Sequence, residues 1–255
     1  MKKALKKTST GPKNTVDPSE IAKFTAMADE WWSPTGKFKP LHKFNPVRIG
    51  YIRDAIADHF SRDATKPHVL KGISLLDIGC GGGLLSEPMA RLGAEVVGVD
   101  AAEKNIAIAS LHAEAQKLKI DYRCTTAESL AGRKKTFDVV LAMEIIEHVA
   151  DVPAFLEACA SLVKPGGLLF VATLNRTVKS YLFGIIGAEY VMGWLPKGTH
   201  TWQKFLKPSE IVMPLEKLGY KTKDIRGVQY HALKDSFSVS RDTSVNYMLV
   251  AERKR

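Results

Sequence analysis

From Ile73 to Leu174 short, apolar, β-rich runs alternate with longer helical patterns, and this alternation restricts the fold more than any other feature. The runs are SLLDIGC (74–80), EVVGVD (95–100), IDYRCTT (120–126), FDVVLAM (137–143) and GLLFVATL (167–174). Helical patterns over 83–92, 102–118 and 152–162 lie between them. Strands that are apolar throughout are buried on both faces, so the pattern predicts a parallel sheet with helices on either side. Lys164-Pro165-Gly166-Gly167 reads as the stop between the last of these helices and the fifth strand.

Outside this region the texture differs. Residues 1–18 form a polar arm that reads as disordered, and 19–65 read as a helical cover broken at Pro34, Pro40 and Pro46, with aromatic Trp31-Trp32 inside it. Residues 175–207 are an insertion. A helix is predicted near 208–218 and two further strands near 220–230 and 245–252. The division is thus an arm (1–18) and one domain (19–255).

The formal charge of +10 is concentrated at the ends. Five lysines fall in residues 1–13, and Glu252-Arg253-Lys254-Arg255 adds a net two, which leaves the body with only +3. A folded basic groove for nucleic acid is therefore not expected. Cys80, Cys124 and Cys159 are widely spaced and odd in number, which fits a reducing compartment rather than a disulfide framework or a thiolate zinc site. The start MKKALKKTSTGPKN has no apolar secretory stretch, and its lysines suit a basic arm better than an organellar presequence.

The first predicted strand runs into Asp77-Ile78-Gly79-Cys80-Gly81-Gly82-Gly83 and then a helix. Glycines there let a ligand approach the backbone, and the helix start supplies unpaired N–H groups. Alone, such a turn is equally a tight connection. Its partner is Asp100, which ends the next strand and is placed to accept from two ribose hydroxyls. A dinucleotide fingerprint starting at Gly79 would need glycine at 84, where the chain has Leu84. Asp77 would repel a pyrophosphate but attract an ammonium or a sulfonium. The combination favours S-adenosylmethionine, with Asp77, Gly79, Gly81 and Asp100 as candidate contacts.

LDIGCGGG, VVGVD, FDVVLAMEIIEHV and KPGG, in that order, resemble the Class I methyltransferases. WW (31–32), FKPLHKFNPVRIGYI (38–52), TLNRTVKSYLFGIIGAEY (173–190), PKGTH (196–200) and VNYML (245–249) resemble, more narrowly, the ubiquinone-biosynthesis O-methyltransferase family. The resemblance implies an α/β, Rossmann-like, seven-stranded and mostly parallel sheet with one antiparallel strand. It also implies cofactor contacts at Arg48, Gly79, Asp100 and Met143, and a polyprenylated phenol or catechol methylated at two steps of the pathway. Arg48 would take the methionine carboxylate. Met143 would line the adenine or the sulfonium chain, with Ala127-Glu128 beside the adenine. A ubiquinone-biosynthesis complex is a candidate partner.

Glu144, Glu147 and His148 share one face if they lie on a helical turn. They follow the fourth strand, where open α/β sheets hold ligands. They are candidate ligands for a divalent cation, and the resemblance supports Mg²⁺. A phenol of pKa ~10 is about one part in a thousand ionised at pH 7, a handicap of roughly 4 kcal/mol. A cation would reduce that handicap. Two alternatives remain at this level: His148 as a lone general base, or an acidic helix start with no ligand. Glu144 and His148 are the catalytic candidates.

Residues 180–195, SYLFGIIGAEYVMGWL, are too short to span a bilayer, but their aromatics and flanking lysines suit an interfacial segment. A core or lid helix is the competing reading. The expected location is the cytoplasm, peripheral to the inner membrane, or the mitochondrial matrix side in a eukaryote. Two other functions stay open: an O-methyltransferase acting on another small phenol, and a non-catalytic cofactor-binding scaffold of a lipid-biosynthesis assembly.

Overall fold

The computed structural model describes residues 15–133, 135–182 and 201–255. The five apolar runs become β1 (Ser74–Ile78), β2 (Glu95–Asp100), β3 (Asp121–Cys124), β4 (Phe137–Met143) and β5 (Val163–Leu174). Three more strands follow, β6 (Tyr220–His231), β7 (Ser236–Ser240) and β8 (Asn246–Arg253), and the sheet order is β3-β2-β1-β4-β5-β8-β6-β7. β1 to β5 pair in parallel, and β8 runs antiparallel between β5 and β6. The expected seven-stranded arrangement with one reversed strand is therefore present. An eighth strand, β7, is added as a hairpin on the β6 edge.

Alternation along the strands divides the core in two. Leu76, Ile78, Val97, Val140, Leu169, Val171 and Leu249 face one layer, while Leu75, Val96, Val139, Leu141, Leu168, Phe170 and Val250 face the other. Side chains on a strand alternate faces, so continuous apolarity is what a sheet covered on both sides demands. The first layer is closed by α5 (Ala127–Ala131), α6 (Val152–Ser161) and α8 (Pro208–Lys217) through Leu130, Phe155, Leu156, Ile211 and Leu215. The second is closed by α2 (Lys39–His59) and α3 (Ser86–Arg91) through Ile52, Ile56 and Met89. The helical layer also holds α4 (Glu103–Ala115), and α7 (Val178–Ser180) follows β5.

Several boundaries differ from expectation. Pro46 lies inside α2 rather than ending a helix, and Pro40 occupies its first turn. A proline costs an interior helix one hydrogen bond, and here the buried face of Arg48, Ile52 and Ile56 carries the helix past it. Lys164 to Gly167 lie within β5, whose pairing with β4 shifts register between Phe137 and Val139. The end of the predicted arm is folded: Thr15 is buried, and α1 (Pro18–Met27) starts from an Asp17 cap. Residues 1–14 and 183–200, which include most of the expected interfacial segment, lie outside the described residues. No described helix is long and apolar enough to cross a membrane.

Candidate active site

The carboxyl ends of β1, β2 and β4 open into one cavity of about 370 Å³. Arg48, Asp77, Gly79, Gly81, Asp100, Met143, Glu144, Glu147 and His148 all line it, as do Thr126, Ala127 and Glu128. Residues from Asp77 to His148 are brought together because parallel strands end on the same edge, and α2 adds Arg48.

The glycine turn is anchored first. The N–H groups of Gly79 and Cys80 both donate to the Val99 carbonyl, at 2.8 and 3.0 Å. Gly79, Gly81 and Gly83 have positive φ. A Cβ on Gly79 would collide with Ile145, and one on Gly81 with the Trp31 ring. Glycine is needed there for both reasons. Cys80 is buried and its thiol is pushed well up by that burial, so it is inert in the loop.

Asp100 accepts three hydrogen bonds from the protein and keeps acceptor capacity on Oδ2. One carboxylate oxygen accepts the Gly81 N–H at 3.0 Å; the other accepts the Ala102 N–H at 2.8 Å and Asn105 Nδ2 at 3.2 Å. Burial raises its pKa against these bonds. Asp77 lies deeper, accepts the Ser86 hydroxyl at 2.6 Å, and is pushed up to about 6 by burial, with Arg48 opposing the shift. Arg48 is 3% exposed, donates to Asn45 Oδ1 at 2.9 Å and stands 4.9 Å over the Phe44 ring. Among the described residues its Nε has no hydrogen-bond partner, and both Glu144 and Asp77 act on it electrostatically. A buried guanidinium with an orphaned N–H, beside a buried carboxylate, offers both charges that an amino-acid zwitterion requires.

Glu144 leaves β4 in the left-handed region, φ 56°, an uncommon conformation for a residue with a side chain and a frequent one at functional sites. Burial, then the adjacent Glu147, pushes it up to about 7. Glu147 is buried, and its Oε2 has no hydrogen-bond partner among the described residues. His148 lies in the same short 3-10 turn, Ile146–His148, with its Nδ1 3.0 Å from Glu20 Oε2 and its ring edge-on to Phe24. Glu20 also accepts from Lys204 at 3.1 Å, and is held down to about 2 by His148 first and Lys204 after it.

The three expected metal ligands do not converge. Among the described residues no group of three His, Cys, Asp or Glu is placed to hold a metal ion. The 3-10 turn replaces the regular helix that would have aligned them. Two of the three still suit a cation: Glu147 has the orphaned oxygen, and the Glu144–Glu147 repulsion is what a positive charge would relieve.

Several residues in or beside the cavity carry no role in the sequence reading. Trp31 packs on Gly81 and Gly82, stacks on Phe38 at 3.7 Å, and donates its indole N–H to Asn105 at 3.0 Å. Trp32 donates to the Gly82 carbonyl at 2.9 Å. Glu20 and Asn45 hold His148 and Arg48. The Trp31-Trp32 pair was visible as an aromatic cluster; no sequence signal singles out Glu20 or Asn45.

A methyltransferase-domain family model matches residues 76–171. A ubiquinone biosynthesis O-methyltransferase of Parvibaculum lavamentivorans is 59% identical over 243 residues, covering 95% of this chain and 96% of that protein. One from Brucella anthropi is 57% identical over 241 residues, covering 94% and 97%. Among solved structures, a plantazolicin methyltransferase superposes with a TM-score of 0.63 at 16% identity, covering 93% of this chain and 98% of that one. The magnesium protoporphyrin IX methyltransferase of Synechocystis, solved with bound S-adenosylhomocysteine, gives 0.56 at 19%, covering 91% and 100%. These two likenesses bear on the fold.

Proposed function

The chain belongs to the ubiquinone biosynthesis O-methyltransferase family and is an S-adenosylmethionine-dependent O-methyltransferase, and from that premise we propose how its cavity divides the work. The acceptor is a polyprenylated catechol-type ring, and one chain serves both O-methylation steps. The observation that carries the reading is a single cavity lined by a nucleoside-type end and by Glu144, Glu147 and His148.

Asp100 receives the ribose hydroxyls, and Asp77 with Arg48 takes the ammonium and carboxylate of the methionine part. Gly79 and Gly81 allow the approach, Met143 walls the sulfonium chain, and Ala127-Glu128 flank the adenine. The acceptor hydroxyl lies toward Glu144 and His148. Its oxygen attacks the sulfonium methyl in line, the carbon–sulfur bond breaks, and S-adenosylhomocysteine leaves. The protein mainly fixes position and excludes water. Glu20 accepts the Nδ1–H of His148, which leaves Nε2 as the atom that takes the hydroxyl proton. A divalent ion, Mg²⁺ foremost, would be held by Glu144 and Glu147 and would supply polarisation of the phenol.

Residues 180–195 bring the enzyme to the bilayer where the isoprenoid substrate resides, at the cytoplasmic face of a bacterial inner membrane, where a biosynthetic complex would assemble. Aromatics and flanking lysines support this reading. Deleting 180–195 should abolish co-sedimentation with anionic liposomes and leave cofactor binding intact; undiminished co-sedimentation would remove the segment from the account. The catalytic reading is tested by methyl transfer from labelled cofactor to a short-tailed polyprenyl catechol, with chelator and with Mg²⁺ restored. Transfer stopped by chelator and restored by Mg²⁺ supports the two-carboxylate cation site. Transfer indifferent to chelator leaves His148 as the base without it.

A further inference from the structure

Asp100 is reached by a relay that starts outside the nucleotide motif. The indole N–H of Trp31 donates to Asn105 Oδ1 at 3.0 Å, and Asn105 Nδ2 donates to Asp100 Oδ1 at 3.2 Å. Asn105 is 2% exposed and Trp31 7%. An indole N–H is a donor only, while an asparagine amide presents an acceptor on one side and donors on the other. Trp31 at one end and Asp100 at the other therefore fix which way the Asn105 amide faces. Its oxygen must point at the indole, so its NH₂ must point at the carboxylate. Without the indole N–H the Asn105 oxygen loses that donor, and the amide is held only from its carboxylate end.

Trp31 is itself held. Its ring is stacked on Phe38 at an interplanar angle of 6° and rests on Gly81 and Gly82, and its carbonyl is 2.9 Å from His42 Nε2. Trp32 is stacked on His112 at 3.5 Å and grips the Gly82 carbonyl. The tandem pair thus clasps the glycine turn from the N-terminal side.

We propose that Trp31, acting through Asn105, is a positioning residue for recognition of the cofactor ribose, so that the N-terminal cover sets nucleoside selectivity as well as enclosing the cavity. The proposal rests on the reading of Asp100 as the ribose acceptor. Trp31 touches the turn and the relay; Asp100 makes the selective contact.

The test is calorimetric titration with S-adenosylhomocysteine and its 2′-deoxy analogue, on wild type, Trp31→Phe, Asn105→Ala and the double variant. A hydrogen bond to a charged group gives the wild type a preference of about tenfold or more for the ribose form. Trp31→Phe keeps an aromatic ring on Phe38 and removes the N–H. It should weaken S-adenosylhomocysteine about fivefold and leave the deoxy analogue almost unchanged, so that the preference shrinks. KM for the methyl donor should rise with kcat nearly constant. In the Asn105→Ala background the same substitution should cost nothing further. Equal weakening of both ligands, or an unchanged preference, would make Trp31 a packing residue and overturn the proposal. A wild type with no preference at all would instead refute the Asp100 reading beneath it. Unchanged binding of both ligands in Asn105→Ala would remove the relay, whatever Trp31→Phe does.

Discussion

Replacing Asp77 with asparagine should remove most of the pH dependence of cofactor binding between pH 5 and pH 7. Burial pushes the Asp77 carboxyl up to about 6 in the empty protein. At that value it is roughly nine-tenths ionised at pH 7 and one-tenth at pH 5. If the ionised form holds the cofactor ammonium, affinity for S-adenosylhomocysteine should rise about tenfold over that interval, a change of ~1.4 kcal/mol. The sign for stability is opposite. A carboxyl whose folded pKa lies above its ordinary 3.8 favours folding most when protonated, and that contribution is lost as pH rises from about 4 to about 6. The ligand-free Asp77→Asn protein should therefore melt no lower than wild type at pH 7, and the relief is of order 3 kcal/mol at most. Asparagine keeps an oxygen to accept from Ser86. Calorimetric titration at pH 5, 6 and 7, beside thermal melts at pH 7, reads both effects. Since Glu144 and other groups titrate alongside, the difference between the two binding profiles isolates Asp77. Parallel profiles, or a variant that binds as tightly as wild type at pH 7, would refute the assignment of the ammonium to Asp77.

Three further outcomes follow from the geometry. Gly81→Ala puts a Cβ into the Trp31 ring at a backbone of positive φ, so melts should show a loss of about 1–3 kcal/mol and cofactor binding should weaken with it; a fully stable, tightly binding variant would contradict the clasp. His148→Ala should lower kcat about 100-fold or more with S-adenosylhomocysteine affinity unchanged within about twofold, and Glu20→Gln should lower it less, through loss of the negative charge beside Nδ1; equal losses of binding and turnover would count against a base. Phe170, fully buried in the layer under α2, should cost about 3–5 kcal/mol when replaced by alanine, and denaturant melts that moved by less than ~1 kcal/mol would call the core assignment into question.

What could be read from the chain divides by the range of the interaction. The five parallel strands and the Gly79–Gly83 turn are local patterns, and each was found within a few residues. β7 was missed because SFSVS is a half-exposed edge strand without the apolar run of its neighbours. Pro46 was read as a helix stop because local propensity argues for one, whereas burial of Ile52 and Ile56 decides the matter in the folded chain. The site divides in the same way. Asp77, Gly79, Gly81, Asp100 and Glu144 belong to short motifs. The groups that orient them do not: Glu20 reaches His148 across 128 positions and Trp31 reaches Asn105 across 74. For the cation set, i, i+3, i+4 spacing converges on a regular helix, whereas the segment Ile146–His148 is a single 3-10 turn.

The most direct test of the central claim is product analysis with both catechol-type acceptors of the pathway. Wild type and Glu144→Gln would each be incubated with labelled S-adenosylmethionine and a short-tailed version of either ring, and the position of the label fixed by mass spectrometry. O-methylation of both rings at this one site requires a single O-methyl group on each acceptor with wild type, and its near-complete loss in Glu144→Gln while S-adenosylhomocysteine still binds. Tight cofactor binding by wild type with no label on either ring would contradict it.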